Sequence, residues 1–251
     1  MRETDFNGSF AKGLKVIEAF GEASPRLSIA DVSKATGLDR ATARRCLLTL
    51  AELGYADYDG KFFALTPRIL RLGHAYLSAT PLPQIVQPFL DRLSEEVGQS
   101  ASASVLDGTE IVYIARASQR RVMSINLMAG SRLPAYCASM GRVLLAALPE
   151  PDARELLRRT ELRSFTPLTR TDPDQLADEL AIVRSQGFAV IDQELELGLC
   201  SIAVPLRNDR GTVTAAINIG APAAQFNASE LADRFLTPLL TMASTIRPLL
   251  Q

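Results

Sequence analysis

The stretch Leu27 to Leu47, LSIADVSKATGLDRATARRCL, constrains the fold more than any other part of the chain, because its spacing fits two short helices crossed about a tight turn. Val32, Leu38, Ala43 and Cys46 are apolar where such a pair needs inward-facing side chains, and Gly37 stands where the turn asks for a positive φ. Ser33 is small where the helices cross closely and a large side chain would force them apart. A helix-turn-helix of this kind reads DNA with its second helix, and Ala41, Thr42, Arg44 and Arg45 are expected on the groove-facing side. The Arg45 guanidinium can pair with guanine through two hydrogen bonds, worth roughly 1–3 kcal/mol of discrimination. Ser28, Thr36 and Arg40 lie near helix ends and are expected to hold phosphate, which positions the domain without reading bases.

The flanks extend the pattern. Phe10, Leu14, Ile17 and Phe20 recur at helical spacing, which predicts a first helix packed across the pair through those side chains. Tyr55 to Leu65 reads as two short strands joined by a two-residue turn at Asp59-Gly60, both with positive φ, and Lys61 sits near the tip where it could meet phosphate. Helices followed by a hairpin make a winged helix-turn-helix over residues 1–66. Its charge is only mildly favourable to DNA: residues 1–80 hold 11 Lys+Arg against 9 Asp+Glu, and the remainder of the chain holds 16 against 19. The argument for DNA therefore rests on where the arginines point.

Thr66-Pro67 reads as an N-cap followed by proline in the first turn, opening a connector helix that runs to about Ser78. Thr80-Pro81-Leu82-Pro83 then marks the junction, so residues 67–83 form connector and linker and 84–251 a second domain. There, Ile85 to Val97 is amphipathic and ends at Gly98; strands are expected at 100–106, 110–115, 122–128, 188–192, 201–207 and 212–220. Helices are expected at 139–148, 151–159 and 173–186, and from Asn227, whose spacing to Glu230 makes a capping box. The expected class is α+β, a largely antiparallel sheet flanked by helices.

Several classes of chemistry find no foothold. With 251 residues and 47% hydrophobic composition the chain can build two cores, yet no apolar run is long enough to span a bilayer and the polar N-terminus lacks a signal sequence, so a cytoplasmic location and no membrane partner are expected. Cys46, Cys137 and Cys200 are far apart and His74 is the single histidine, which argues against metal and favours thiols acting as small hydrophobes and a structural His74. No phosphate loop, nucleophile elbow or dinucleotide fingerprint occurs, so no cofactor and no catalytic residues are assigned. The acidic run Asp192, Glu194 and Glu196 fits acid/base chemistry less well than it fits a strand edge and loop. The loop Ala129 to Pro134 leads through Cys137 and Ala138 to a helix N-terminus at Ser139-Met140-Gly141, where backbone N–H groups and the helix dipole favour a small carboxylate; an ordinary capped helix after a turn is the alternative.

The winged motif, GSRLPAYCASMGRVLLA at 130–146 and GFAVIDQELELGLCSIAVPL at 187–206 together resemble the IclR family of bacterial transcription regulators over essentially the whole chain. GLDRATARRCLLTL and DQELELGL are most similar to the subgroup that regulates aromatic acid degradation through the β-ketoadipate route, answering to protocatechuate or 4-hydroxybenzoate. The resemblance implies a GAF-like effector domain, dimers that often pair into tetramers, and Leu133, Ser139, Met140, Ile191, Leu199, Ser201, Asn218 and Gly220 as ligand-facing residues. Two departures stand out. Ile191 replaces a small polar or acidic residue, which would make the pocket more apolar, and Cys200 replaces an arginine that could pair with a carboxylate or support the loop. The expectation is a homo-oligomeric regulator of a palindromic operator, with a small carboxylate effector held near Ser139, polar contacts from Ser201 and Asn218, and added charge from Arg132. Effector binding is expected to bias the winged domains through the helix at 67–79. An enzyme acting on a small carboxylate, and a winged domain used only for protein interaction, are the competing classes.

Overall fold

A computed structural model describes residues 6–21, 23–119 and 127–250. The chain divides into two compact units, one up to Ala79 and one from Thr80.

The first unit contains α1 (Gly8–Glu18), α2 (Ile29–Thr36), α3 (Arg40–Glu52), β1 (Ala56–Tyr58), β2 (Phe63–Leu65) and, after a 3-10 turn at Pro67–Ile69, α4 (Leu70–Ala79). Each of the first three helices starts on a polar cap. Asn7 accepts from the amides of Ser9 and Phe10, Ser28 and Asp31 form a reciprocal capping box, and Asp39 accepts from the Thr42 amide. Gly37 ends α2 at φ 70°, a left-handed conformation that costs glycine nothing and lets the chain turn at once into α3. Val16, Val32, Ala43, Leu47, Leu50 and Phe63 form the core.

Two expectations hold only in part. α1 packs on the helix pair with Ile17 and Phe20 against the core, but its buried residue is Val16, and Phe10, 66% exposed, and Leu14, 40% exposed, are turned away. The wing turn spans Asp59 to Phe62, because Tyr58 pairs with Phe63. Gly60 alone in it has positive φ, and the Asp59 carboxylate closes it by accepting from the amides of Lys61 and Phe62. Thr66 caps the next turn as read, and the described side chains of α4, including His74, are mostly exposed.

The second unit opens with α5 (Leu82–Val97), which takes in Pro83 at its first turn, so the break in helix is confined to Thr80-Pro81. It continues with β3 (Ser100–Asp107), β4 (Glu110–Ala117), β5 (Arg132–Pro134), a 3-10 turn at Ala135–Cys137, α6 (Ser139–Ala146), α7 (Glu150–Arg159), α8 (Pro173–Gln186), β6 (Ala189–Asp192), β7 (Leu199–Arg207), β8 (Val213–Pro222) and α9 (Ala228–Ile246). The strands form one antiparallel sheet in the order β5-β4-β3-β8-β7-β6. Residues 122–126 of the strand expected at 122–128 lie outside the described residues, and Leu127 and Met128 are not strand.

Alternation along the strands gives the sheet two faces. Ala101, Ala103, Cys200, Ile202, Val204, Ile217 and Ile219 pack with Leu90 and Leu93 of α5 and Leu231, Phe235 and Leu239 of α9. Ala203, Ala216, Tyr113 and Ile111 pack with Met140, Val143 and Leu144 of α6 and Leu176, Leu180 and Val183 of α8. The helices therefore lie on both sides of the sheet.

Candidate functional site

In the winged unit, α3 buries Ala43, Leu47 and Leu50 and leaves Arg40, Ala41, Arg44 and Arg45 exposed. Thr42 is not on that outer face. It is buried, its amide is held by Asp39, and its Oγ1 accepts from Arg45 Nη2 at 3.3 Å, so it orients the arginine. Thr36, expected at phosphate, is also buried: Oγ1 donates to the Val32 carbonyl at 2.6 Å and accepts from the Leu38 amide, which fastens the interhelix turn. The Ser28 hydroxyl is engaged with Asp31, whose carboxylate is held below the ordinary range by those hydrogen bonds, so this helix end already carries its own anion. Lys61 is exposed at the wing, its ammonium 5.0 Å from the Phe62 ring centre. Cys46 is half-buried against the core, a packing role.

In the second unit a cavity lies between the sheet and the start of α6. Sheet register builds its floor. Ser102 stands opposite both Arg116 and Asn218, and Gly220 stands opposite both Ser100 and Ser201. Ser139 and Met140 form the roof, and Leu133, Ile191, Leu195 and Leu199 the walls. Ser201 Oγ donates to Ser139 Oγ at 2.9 Å, tying floor to roof. All eight residues carried over from the family resemblance line this one cavity.

The roof is set by a close approach. A Cβ on Gly141 would overlap the Ala135 carbonyl oxygen, so only glycine lets the 3-10 turn fold under the first turn of α6. Ala138 caps that helix with no side-chain hydrogen bond, which leaves its leading N–H groups for an incoming anion.

Arg132, expected to supply charge, is outside the cavity lining. Its guanidinium is engaged at 2.7 Å by Glu110 and by Asp107 on the exposed edge of the sheet. Among the described residues the cation in the lining is Arg116 of β4. Its Nη1 donates to Ser102 Oγ at 2.9 Å, its peptide is clasped by the Gln87 amide at 3.0 and 3.2 Å, and among the described residues it has no carboxylate partner. Burial pulls its pKa below the ordinary guanidinium value, and Tyr113 beside it opposes that shift. Burial pushes the Tyr113 phenol up to about 12, so at neutral pH it is a hydrogen-bond donor. Asn218 Oδ1 is buried with no hydrogen-bond partner among the described residues.

The strand expected at 110–115 stops short of Arg116, and a β-bulge would have hidden its facing in any case. Ser104 pairs with Tyr113 but Ser102 with Arg116, so the strand carries one extra residue between them and turns both side chains to the cavity. Strict alternation from Tyr113 would have sent Arg116 to the other face. Cys200 likewise stands apart from the cavity. It packs on the far face with α9, its sulfur donating to the Ala221 carbonyl, so its replacement of arginine alters that core and not the lining. Cys137 does line the cavity, but burial pushes its thiol up to about 12. Among the described residues no three His, Cys, Asp or Glu side chains are grouped to hold a metal, and no helix is long and apolar enough to cross a membrane.

Comparison with known proteins places this geometry in a family. Residues 9–60 match the IclR helix-turn-helix domain and residues 74–247 the bacterial transcriptional regulator IclR C-terminal domain. The chain is 49% identical over 243 residues to the Pca regulon regulatory protein of Pseudomonas putida, covering 96% of this chain and 83% of that protein. It is 37% identical over 254 residues to the p-hydroxybenzoate hydroxylase transcriptional activator of Acinetobacter baylyi, covering 99% and 94%. The crystal structure of an IclR homologue complexed with 4-hydroxybenzoate from Microbacterium hydrocarbonoxydans superposes with a TM-score of 0.77 at 25% identity, covering 96% of this chain and 98% of that one. On these matches, the chain belongs to the IclR family of bacterial transcriptional regulators.

Proposed function

We propose that this regulator controls the catabolism of an aromatic carboxylic acid and senses that acid in the cavity beneath α6. The observation that carries the proposal is Arg116, a cation in an otherwise largely apolar cavity, with no acidic partner among the described residues. The carboxylate sits between Arg116 and the leading N–H groups of α6, the ring between Leu133, Ile191 and Leu199, and the hydroxyls of Ser139 and Ser201 with Asn218 meet ring substituents. The 4-hydroxybenzoate complex of the Microbacterium homologue and the regulatory roles named for the Pseudomonas and Acinetobacter relatives support this ligand class.

Residues 1–66 are the DNA-binding domain, 67–83 the connector and 84–251 the effector and oligomerisation domain. Arg44, Arg45 and Ala41 face the major groove and Arg40 and Lys61 meet phosphate. Two copies of the chain read the two halves of a palindromic operator in the cytoplasm, and the occupied cavity biases them through the connector helix. Ligand recognition without turnover is the activity, a reading supported by the regulatory roles named for the relatives.

Calorimetric titration of the full-length protein with 4-hydroxybenzoate, protocatechuate and the uncharged 4-hydroxybenzamide tests the cavity. Binding of an acid with rejection of the amide is expected, and no binding of any aromatic acid overturns the ligand class. Conversion of the bound acid on incubation would favour an enzyme.

A further inference from the structure

The acidic run that ends β6 is absorbed by neither the winged unit nor the cavity lining. Glu194 is 4% exposed and sits in the loop 193–198 that carries Leu195 into the cavity wall between Ile191 and Leu199. Its Oε2 accepts from Arg142 Nη2 at 2.7 Å and from the Arg170 amide at 3.1 Å. Arg142 is 1% exposed and belongs to the first turn of α6, three residues after Ser139. Its Nε donates to the Tyr136 carbonyl at 2.9 Å, in the turn that leads into the roof, and its Nη1 reaches Glu179 of α8 at 3.4 Å. One planar guanidinium therefore joins the roof, the wall loop and the supporting helix.

The loop needs such a hold. Gln193 has φ 57°, the one non-glycine residue in the left-handed region among the described residues, a conformation that persists only where neighbours impose it. Its carbonyl accepts from Thr166 Oγ1 at 2.7 Å, and the Glu194 carbonyl accepts from Thr169 Oγ1 at 2.5 Å. The two polar hydroxyls fix the backbone, while the charged contact fixes the loop against α6.

Resting on the ligand site argued above, we propose that Arg142 is its positioning residue: the buried Arg142–Glu194 pair sets the distance between the α6 roof and the 193–198 wall, so that effector affinity depends on a side chain that never touches the effector. Arg142 is absent from the cavity lining, which separates this role from direct binding. A lysine would keep the charge but could not hold the Tyr136 carbonyl, Glu194 and Glu179 at once, since its donors radiate from a single nitrogen.

The test compares full-length Arg142→Lys, Glu194→Gln and Glu179→Gln with the parent, measuring 4-hydroxybenzoate affinity by calorimetry, global stability by denaturant, and hydrogen exchange of the 193–199 amides without ligand. Glu179→Gln removes charge from the same cluster without touching the loop. Arg142→Lys and Glu194→Gln are expected to weaken binding by about tenfold or more and to speed exchange at 193–199, with Glu179→Gln close to the parent on both counts. The proposal falls if the first two variants, folded, bind and exchange like the parent, or if all three lose affinity in proportion to stability. If the parent itself binds no aromatic acid, the ligand assignment fails and the exchange comparison decides alone. Faster loop exchange in Glu194→Gln than in Glu179→Gln then sustains the strut, and equal exchange removes it.

Discussion

Arg116 of β4 donates from Nη1 to Ser102 Oγ of β3 at 2.9 Å, directly across the strand pair, and this contact holds a cation over the floor of the effector cavity. Ser102 is neutral, so the guanidinium charge remains available to a ligand, while the ion-paired Arg132 has two carboxylates of its own. On the proposed reading, that charge makes the pocket selective for acids.

Arg116→Gln is expected to weaken aromatic acid binding by about 1.5–3 kcal/mol, the value of a hydrogen bond to a charged group, and to narrow the preference for acid over amide. Arg132→Gln is expected to leave affinity unchanged and to cost at most about 1 kcal/mol of stability, since its ion pairs are exposed. Paired titrations of acid and amide against both variants check this.

Gly141→Ala drives a methyl group into the Ala135 carbonyl, and backbone cannot swing aside as a side chain can. A loss of about 3 kcal/mol or more in denaturant unfolding is expected, with the effector cavity the first region to lose protection from hydrogen exchange.

On the DNA side, Lys61→Ala is expected to lower the slope of log affinity against log salt by about 1, as one lost phosphate contact should. Thr36→Val removes the hydroxyl that bridges Val32 and Leu38, so it is expected to destabilise the winged unit and leave that slope unchanged. Operator titrations at several salt concentrations distinguish the two.

Asp31, Asp39 and Asp59 each cap a helix or turn of the winged unit, and their hydrogen bonds hold the carboxyls below the ordinary 3.8. A carboxyl with a lowered folded value binds its proton less readily when folded, so its stabilisation is complete above 3.8 and fades as pH falls through the folded value. Unfolding of the winged unit followed between about pH 6 and pH 2 is expected to show that loss at the acid end, and Asp39→Asn, which keeps a capping oxygen but no titration, is expected to flatten it.

Local chemistry in the chain already determined the winged motif. Gly37 and the inward residues Val32 and Ala43 act over a few residues, so spacing alone reveals them, whereas the caps at Ser28 and Asp39 emerged only in the structure. Spacing also reveals the capping box at Asn227 and Glu230, while the cavity residues were legible only through the resemblance to the family motifs. Tertiary structure decided what depends on which surface a neighbour covers. Thr36 and Thr42 are polar and near helix ends, as phosphate ligands are, yet packing draws them inward; Phe10 and Leu14 keep core spacing while Val16 takes the core. Most of all, the choice of Arg116 over Arg132 as the cavity cation follows from one extra residue in β4 and from two carboxylates beside Arg132. A bulge reverses which way every later side chain points, and an ion pair across a turn removes a charge from use; both are set by strand register, which sequence spacing does not record.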